Sequence, residues 1–355
     1  MTPSASLARL GCAGKAFPVR PHWALAALAA AALALGAQPA HASYAFQNII
    51  NNNDVTFNQE LGINSSGEIA GYFGSGAAGH PNKGYTVVPP YSQANFTNEN
   101  FPGSVQTQVT GLNNAGVTVG FWSNSNLGVG MDSNFGFTDV GGTFTNVNNP
   151  NTGTTAPVFN QLLGVNNSNL AVGFYTDMAG STHGYTYNIG SNTFSSNIDD
   201  PNGVGATTAA AINNSNEIAG FYTNSSGVLQ GFIKNGVNFT NVSDPNAGTG
   251  AGQGTSLLGL NDNGLAVGDY IDSAGIMHGL LYDFLTNTFT TLDDSFAVTA
   301  TTLNGINDNN QLVGFYVNAA GNTIGLLADP VPEPASLSLL AIGLLGLAFV
   351  RRRKA

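Results

Sequence analysis

The sequence predicts an all-β fold, a six-bladed β-propeller whose four-stranded repeats are about 48 residues long. One phrase recurs six times along the 355-residue chain, and each copy has the residue pattern of a β-hairpin. Further strand-like phrases follow the copies at similar distances and bring the number of strands per repeat to four. Outside the two ends of the chain, almost no segment has helical periodicity.

The recurring phrase sets the length of the repeat. Its copies, such as GLNNAGVTVGFW, begin at Gly62, Gly111, Gly164, Ala211, Gly259 and Gly305. These starts lie 49, 53, 47, 48 and 46 residues apart, and such periods are typical of repeat arrays and propellers. An apolar residue and Asn end one strand, a polar turn follows, and an aromatic-rich strand returns. Asn and Gly suit this turn because they tolerate positive φ angles.

Two further phrases predict the third and fourth strands of a unit. A glycine followed by an aromatic residue or Leu stands some 20 residues after each start, at Gly84, Gly136, Gly184, Gly231, Gly279 and Gly325. A Phe-Thr or Phe-Ser pair closes the first five units, at Phe96, Phe144, Phe194, Phe239 and Phe289. Four short antiparallel strands per repeat are the pattern of a propeller blade.

The sixth unit decides between a ring and an open array. It continues from Gly325-Leu326-Leu327 directly into the C-terminal segment and lacks a closing strand. Residues 44–51 resemble the closing phrase and stand before the first hairpin. We therefore expect the N-terminal strand to complete the last blade, which would place Phe46 beside the Gly325 strand and remove exposed edges. An open β array is the alternative, but it would need polar capping units, and none is evident.

The repeats resemble the HAF repeat of predicted extracellular proteins. The resemblance lies in the Gly-Ile/Leu-Asn-x-x-Gly-x-Val-x-Gly phrase and in the His-Gly pairs at His183 and His278. It covers most of Gly62–Leu327, although the His is missing from four units. That family has no established activity, so the resemblance implies only a repeat architecture and export.

The N-terminal end has the order of a secretory signal peptide. Arg9, Lys15 and Arg20 precede an apolar run from 24 to 36, which is too short to span a membrane. Small residues at Ala40 and Ala42 predict cleavage after Ala42, so residues 1–42 form a helical signal peptide. Cys12 lies in this leader, and the mature chain consequently has no disulfide framework.

The C-terminal end combines a short polar motif, an apolar run and a basic cluster. Pro332-Glu333-Pro334 precedes the apolar residues 335–350, and Arg351, Arg352, Arg353 and Lys354 follow. The run is slightly shorter than most spans, and the cations would stay on the cytoplasmic side. This order resembles the PEP-CTERM sorting signal, which implies cutting near Pro-Glu-Pro by an exosortase in an envelope that makes extracellular polysaccharide. An uncut single-span anchor is the alternative. The predicted domains are thus 1–42, 43–330 and 331–355.

Charge excludes several classes of partner. Of the nine Lys and Arg residues only Lys83 and Lys234 lie outside the targeting ends, against 19 of the 20 carboxylates, so the mature formal charge is 2 − 19 = −17. A surface so poor in cations cannot neutralise phosphates, which argues against nucleic-acid binding. Anionic membranes and acidic polysaccharides are repelled unless a divalent cation bridges them. Membrane contact is expected only through the C-terminal tail.

The candidate catalytic residues have structural explanations. His183 and His278 occupy one position in two units, which favours a bracing hydrogen bond over a ligand or general base. The pairs Asp199-Asp200 and Asp293-Asp294 suggest glycoside hydrolysis, but adjacent strand residues point to opposite faces, so turn formation is favoured. The sequence contains no nucleophile elbow, zinc-helix motif or phosphate loop.

Two turns resemble calcium loops. Asn261-Asp262-Asn263-Gly264 and Asn307-Asp308-Asn309 offer oxygen ligands, yet no acidic residue follows at the EF-hand spacing. A tight hairpin turn is the favoured interpretation, and weak calcium binding elsewhere on the acidic surface remains open. We predict no catalytic, cofactor-binding or metal-binding residue.

The expected function is non-enzymatic. We expect an exported protein of the cell envelope, cell surface or extracellular polysaccharide matrix, held transiently at the membrane by residues 335–350. Its partners would be the export machinery and an exosortase, with extracellular polysaccharide or matrix proteins as candidate ligands. One alternative is a polysaccharide lyase or hydrolase, which predicts one blade with unusual inward polar residues, whereas the irregularities in the sequence are expected to be shared across blades. The other alternative is a calcium-dependent adhesin.

Overall fold

A computed structural model describes residues 43–203 and 205–331. The signal peptide with Ala40 and Ala42, the sorting residues from Pro332 to Lys354 and the apolar run 335–350 lie outside the described residues. Within them the chain forms 24 β-strands and one three-residue 3-10 helix, Gln93–Asn95, and no α-helix. The prediction of an all-β fold is confirmed.

The strands fall into units of four antiparallel neighbours, preceded by an N-terminal strand, β1 (Ser43–Ile49). Unit 1 comprises β2 (Asn58–Ile63), β3 (Ile69–Phe73), β4 (Lys83–Val87) and β5 (Phe96–Asn98). Unit 2 comprises β6 (Gln106–Leu112), β7 (Thr118–Ser123), β8 (Phe135–Val140) and β9 (Thr143–Val147). Unit 3 comprises β10 (Asn160–Val165), β11 (Leu170–Thr176), β12 (Thr182–Asn188) and β13 (Thr193–Phe194).

The second half of the chain repeats this order. Unit 4 comprises β14 (Thr207–Ile212), β15 (Ile218–Thr223), β16 (Leu229–Asn235) and β17 (Asn238–Val242). Unit 5 comprises β18 (Gly254–Leu260), β19 (Leu265–Ile271), β20 (Met277–Asp283) and β21 (Thr288–Thr291). Unit 6 contains β22 (Ala300–Ile306), β23 (Leu312–Val317) and β24 (Thr323–Val331). Each predicted phrase start therefore lies inside the first strand of its unit, because that strand begins several residues earlier.

The N-terminal strand supplies the fourth strand of unit 6. β1 pairs with β24 in antiparallel register, with Phe46 opposite Ala328 and Ile49 opposite Gly325. The pairing expected from the sequence is thus observed. It extends to Ser43 opposite Val331, one residue beyond the predicted domain boundary. Units 4, 5 and 6 are connected into one 12-stranded sheet by single parallel bridges, and units 1, 2 and 3 each form a separate four-stranded sheet.

The first hairpin of every unit is built around one asparagine. Oδ1 of Asn166 accepts the backbone N–H groups of Ser168 and Leu170, both at 3.0 Å. The fourth turn residue, Asn169, has φ of 58°. Equivalent positive-φ residues are Gly67, Gly116, Asn216, Gly264 and Asn310. The turn therefore requires Gly or Asn at this position, which explains why these two residues alternate there in the repeat.

The glycine of the repeated phrase allows the first strands of neighbouring units to approach closely. A Cβ atom placed on Gly62 would lie 3.0 Å from Cα of Gly111, and one placed on Gly111 would lie 3.0 Å from Cα of Gly164. The residue before this position, which is Ala211 in unit 4 and glycine in the other units, is a β-bulge in every unit: Leu61, Thr110, Leu163, Ala210, Leu258 and Asn304. Such bulges re-aim the side chain of the extra residue.

The hydrophobic core lies between neighbouring units. Val119 and Val147 of unit 2 pack with Leu162 and Tyr185 of unit 3, and all four are almost fully buried. Comparable clusters connect unit 4 to unit 5 and unit 6 to unit 1. Each unit therefore buries its apolar faces against its neighbours.

Candidate functional site

A cavity of about 110 Å³ is lined by equivalent residues from all six units. Its wall carries the six bulge residues. Four of them are apolar, namely Leu61, Leu163, Ala210 and Leu258. Thr110 turns its hydroxyl to backbone, since Oγ1 donates to the carbonyl of Leu162 at 2.8 Å. Asn304 differs, because its buried Oδ1 has no hydrogen-bond partner among the described residues.

The mouth of this cavity carries a ring of asparagine amides. Nδ2 of Asn64 donates to the carbonyl of Asn113 at 3.3 Å, and Nδ2 of Asn113 donates to the carbonyl of Asn166 at 3.0 Å. The series continues through Asn213, Asn261 and Asn307 at 2.9–3.2 Å and returns to Asn64. We call the side of the domain formed by these first-hairpin turns the amide-ring face.

Asp262 and Asp308 belong to a second ladder on the same face. Oδ1 of Asp262 accepts the backbone N–H of Asn214 at 2.8 Å, and Oδ1 of Asp308 accepts that of Asp262 at 3.0 Å. Asn114 and Asn167 make the same contact in other units. These carboxylates thus replace amides as hydrogen-bond acceptors. In the part of the chain that the structure describes, no cluster of three or more His, Cys, Asp or Glu side chains could hold a metal ion.

His183 lies between two carboxylates on the opposite side of the domain. Its Nδ1 is 3.0 Å from both oxygens of Asp199, and its Nε2 is 3.4 Å from Oδ2 of Asp177. The Tyr175 ring lies beside the imidazole, with 5.4 Å between ring centroids. These contacts join the second-to-third-strand turn of unit 3 to the loop that leaves its fourth strand. We call this side, which carries the second-hairpin turns, the loop face.

His278 repeats the arrangement in unit 5. Its Nδ1 is 2.7 Å from Oδ2 of Asp293, and its Nε2 is 3.6 Å from Oδ2 of Asp272. Burial lowers the pKa of His278, but the hydrogen bonds and charges of Asp293 and Asp272 outweigh this and raise it above 6.5. Both histidines therefore act as braces between two loops of one unit.

The two Asp pairs divide their roles. Asp199 and Asp293 contact the histidines, whereas the following residue in each pair shapes the loop. Oδ1 of Asp200 accepts the backbone N–H of Asn202 at 2.8 Å. Oδ1 of Asp294 likewise accepts that of Phe296 at 2.8 Å. Asp244 and Asn149 make the same turn in other units. Oδ2 atoms of Asp200 and Asp244 are buried without a hydrogen-bond partner among the described residues.

Glu60 departs from the repeat. It lies opposite Gly71 in β2, where the other units carry Val109, Leu162, Ala209, Leu257 and Leu303. The side chain is fully buried, and the hydroxyl of Tyr85 lies 2.8 and 2.9 Å from its two oxygens. Burial raises the pKa of Glu60 well above its usual value, although the Tyr85 hydrogen bond opposes the rise.

Two carboxyl side chains, Glu99 and Asp139, lie together between units 1 and 2. Oε1 of Glu99 accepts the hydroxyl of Thr118 at 2.7 Å, and the Asp139 carboxyl lies beside it. Burial raises the pKa of Glu99 to about 7, and Asp139 adds to the rise although the Thr118 hydrogen bond opposes it. Asp139 is only 7% exposed, and its Oδ1 has no hydrogen-bond partner in the described chain.

Asp269 is a third departure confined to one unit. It follows the glycine of β19, where the other units carry Tyr72, Phe121, Phe174, Phe221 and Phe315. Burial raises the pKa of Asp269 to about 7. The expectation that irregularities are shared across units is therefore wrong for Glu60, Asp269 and Asn304. Aligning the six units column by column, with the two residues that precede each phrase included, identifies all three from the sequence.

The C-terminal part of the chain is similar to a known sorting signal. Residues 330–354 match the PEP-CTERM protein-sorting motif. The match confirms the predicted sorting motif, within which Pro332, Glu333, Pro334 and the basic terminus lie, and the roles of these individual residues stay a prediction. It indicates an exported protein that is processed by an exosortase. It does not extend to the repeats, so their resemblance to the HAF family stays a prediction.

Several solved structures are similar to this chain at low identity. AofleA from Arthrobotrys oligospora is 10% identical, covers 82% of this chain and 90% of its own, and gives a TM-score of 0.49. The β-propeller domain of the Trilobed protease from Pyrococcus furiosus is 8% identical, with coverages of 78% and 86% and a TM-score of 0.42. The polysaccharide lyase PL25, an ulvan lyase, is 12% identical, with coverages of 77% and 78% and a TM-score of 0.39. Similarities of this size carry no ligand or activity to this chain.

No curated protein matches the chain. Between residues 43 and 331, position 204 excepted, no helix is long and apolar enough to cross a membrane. The predicted membrane segment 335–350 lies outside this range, so its role as an anchor stays a prediction.

Proposed function

We propose that the chain is an exported six-bladed β-propeller, closed by its N-terminal strand, that serves a structural or binding role in the cell envelope or its polysaccharide matrix. The closed ring is supported by the amide series, because the last donor, Asn307, returns to the first unit at 2.9 Å. It is also supported by β1, which completes unit 6 and covers the edge of β24.

The observation that carries the non-enzymatic role is the use of the conspicuous polar side chains in scaffold hydrogen bonds. Asp262 and Asp308 hold neighbouring turns, Asp199 and Asp293 hold histidines, and Asp200 caps a loop. A carboxylate that acts as a general acid or base must instead lie within hydrogen-bond reach of a proton on the substrate. A repeated scaffold of this kind offers a ring of similar surfaces, which suits polymers with repeating groups.

The ligand class that fits the surface is neutral. A mature charge of −17 repels acidic polymers, and the polar side chains are chiefly Asn, Thr and Ser, which hydrogen-bond to hydroxyl groups. We infer binding to neutral glycans or to matrix proteins, after processing of the tail by an exosortase near Pro332-Glu333-Pro334. A transient anchor at residues 335–350 belongs to the same proposal.

A glycan array probed with the 43–331 domain tests the binding role. Neutral polysaccharides should be retained and sulfated or uronic-acid polymers should not. Repeating the array with calcium and with a chelator separates a calcium-dependent adhesin, whose binding and melting temperature would both fall with the chelator. Retention of no glycan, with or without calcium, would contradict the glycan-binding role.

Glu99 and Asp139 favour a second candidate function, a polysaccharide lyase or hydrolase. A carboxyl group with a pKa of about 7 beside a second carboxyl can donate and accept a proton near neutral pH. The test is chain shortening or unsaturated-product formation from neutral and acidic polysaccharides. Activity that is lost in Glu99→Gln while the fold is retained would establish the enzyme and overturn the non-enzymatic proposal.

A further inference from the structure

The two ends of the described chain meet at one edge of unit 6. All seven residues of β1 pair with β24, and the last pair is Ser43 with Val331. The predicted signal-peptide cleavage after Ala42 lies immediately before this pair. Pro332, the first residue of the Pro-Glu-Pro motif, lies immediately after it. The two processing positions therefore leave the folded domain side by side.

Both ends leave from the amide-ring face. Leu312 begins β23 directly after the turn between β22 and β23, and it lies opposite Ala328 in the C-terminal half of β24. β24 therefore runs toward that turn. Gln311, which follows that turn, donates Nε2 to Oδ1 of Asp329 at 2.8 Å. The same side chain accepts Nδ2 of Asn307, a member of the amide ring, at 2.8 Å. Asp329 and the ring thus belong to one face.

The connection from this face to the predicted membrane segment is short. Three residues, 332–334, separate Val331 from Ala335. Even a fully extended chain spans at most about 14 Å over this interval. A compact domain of this length has a radius of gyration of about 19 Å. The domain therefore has too little slack to turn over while the C-terminal segment remains in the membrane.

We propose that, before processing, the domain is held with its amide-ring face toward the membrane and its loop face outward. This inference rests on the proposed membrane attachment through residues 335–350. The membrane-embedded processing enzyme approaches the amide-ring face at the edge of unit 6. The loop face, with the His183–Asp199 and His278–Asp293 contacts, is the surface presented to the matrix.

Charge and the end of the sheet agree with this arrangement. Asp308 and Asp329 lie on the amide-ring face and are repelled by anionic lipids, so the short tail rather than the face supplies the attachment. Pro330, opposite Tyr44, has no N–H to donate to the ladder. The exposed Ser43–Val331 end can therefore separate and give the enzyme an extended segment.

The orientation is measured with matched fluorescent labels at the two ends of β23. Cys12→Ser leaves no natural cysteine, and Asn309→Cys or Ala320→Cys places a label on the amide-ring face or the loop face of unit 6. The six residues of β23 separate these positions by about 20 Å. The chain with its C-terminal segment is reconstituted into phosphatidylcholine vesicles that carry a spin label on the lipid headgroup, with unlabelled vesicles as the control.

We expect strong quenching of the label at position 309 and little at position 320. Equal quenching at both positions, or stronger quenching at 320, in a chain that floats with the vesicles would overturn the orientation alone. A chain that does not float with the vesicles would overturn the membrane attachment itself and with it this inference. Ser168→Cys and Ala179→Cys, at the two ends of β11, repeat the comparison in unit 3. Quenching should again be stronger on the amide-ring face, at position 168, than on the loop face, at position 179.

Discussion

The hydroxyl of Tyr85 lies within hydrogen-bonding distance of both carboxyl oxygens of Glu60, 2.8 Å from one and 2.9 Å from the other. Both side chains are buried at the contact between unit 1 and unit 6. The Glu60 carboxyl lies against Gly325 of β24, where a Cβ atom would be 2.3 Å from Oε1. A polar pair therefore occupies the seam where the last unit meets the first.

Replacing both members of this pair by apolar residues should not destabilise the domain. Tyr85→Phe alone leaves a buried carboxyl without its partner and should cost about 1–3 kcal/mol. Glu60→Leu introduces the residue that unit 3 carries at the equivalent position, Leu162. Combined with Tyr85→Phe, it should be neutral or stabilising because both polar partners are removed. Urea unfolding of the two variants gives the comparison. A double variant less stable than Tyr85→Phe would contradict this expectation.

The same pair should make stability fall with rising pH. Burial raises the pKa of Glu60, so the folded state retains a proton that the unfolded state has lost. The contribution of the protonated Glu60 carboxyl to the free energy of unfolding is complete below the unfolded pKa of about 4.5. It is lost as pH rises toward the folded pKa. Glu60→Gln should therefore gain stability relative to the natural chain as pH rises above the unfolded pKa. A difference that does not change with pH would show that Glu60 is ionised in the folded state.

Much of the fold follows from the sequence because the repeated phrase states its own turn chemistry. Asn166 and Asn169 are recognisable as a turn since one must accept backbone hydrogen bonds and the other must adopt a positive φ. The absent closing strand of unit 6 likewise predicts the pairing of β1 with β24. These are local or complementary patterns, and a single sequence contains them in full.

The candidate sites are harder to predict because they depend on which strand side chains point inward and on which units pack together. Glu60 follows Gln59 in the sequence, and within unit 1 alone nothing indicates which of the two is buried. Only the apolar residues at the equivalent position of the other units indicate Glu60. The bulge after Glu60 resets the alternation of side chains, so period-two counting fails at that point. Glu99 and Asp139 come from different units and meet only after neighbouring sheets pack. No spacing rule predicts that contact.

One rung of the amide ring can be removed without removing its turn. Asn166→Asp retains the oxygen that accepts Ser168 and Leu170 but loses the Nδ2 donor to the carbonyl of Asn213. The Asn213 carbonyl then keeps only the backbone N–H of Asn216, and Oδ1 of Asn216 loses the Nδ2 donor as well. We therefore expect a loss of about 1–3 kcal/mol in unfolding free energy. Ser168→Ala in the same turn is the control and should stay within about 0.5 kcal/mol. Equal effects of the two changes would argue against a stabilising ring.

The histidine brace should stabilise the domain most in mild acid. Asp293 and Asp272 raise the pKa of His278 despite the opposing effect of burial. The stabilisation is complete below the unfolded pKa of about 6.5 and is lost as pH rises through the folded pKa. The test variant is His278→Gln, because unit 4 carries glutamine, Gln230, at the equivalent position. It should be less stable than the natural chain near pH 5 and similar to it near pH 9. Thermal unfolding at both pH values measures the change, and a constant deficit would contradict a charged brace.

Membrane release should depend on the sorting motif. Residues 330–354 match a sorting signal, so replacing Pro332 and Glu333 by Ala should leave the chain in the membrane fraction of cells that process it. Val331→Ala, which changes the adjacent residue but leaves Pro-Glu-Pro intact, is the control and should be released normally. The distribution between membrane and culture medium is the measurement. Normal release of the double variant would mean that processing does not require this motif.

The N-terminal strand should be essential to the stability of the whole domain, because Ile49 lies in the cluster that joins unit 6 to unit 1. Ile49 is 1% exposed and packs with Ile63, Val313 and Leu327. Ile49→Ala should therefore cost about 2–5 kcal/mol, whereas Gln47→Ala, at an exposed position of the same strand, should change stability by less than about 0.5 kcal/mol. Deletion of residues 43–53 should go further and abolish cooperative unfolding, since it uncovers the edge of β24 and removes Ile49 at once. If the deleted chain still unfolds in one cooperative transition of unchanged midpoint, β1 does not close the ring.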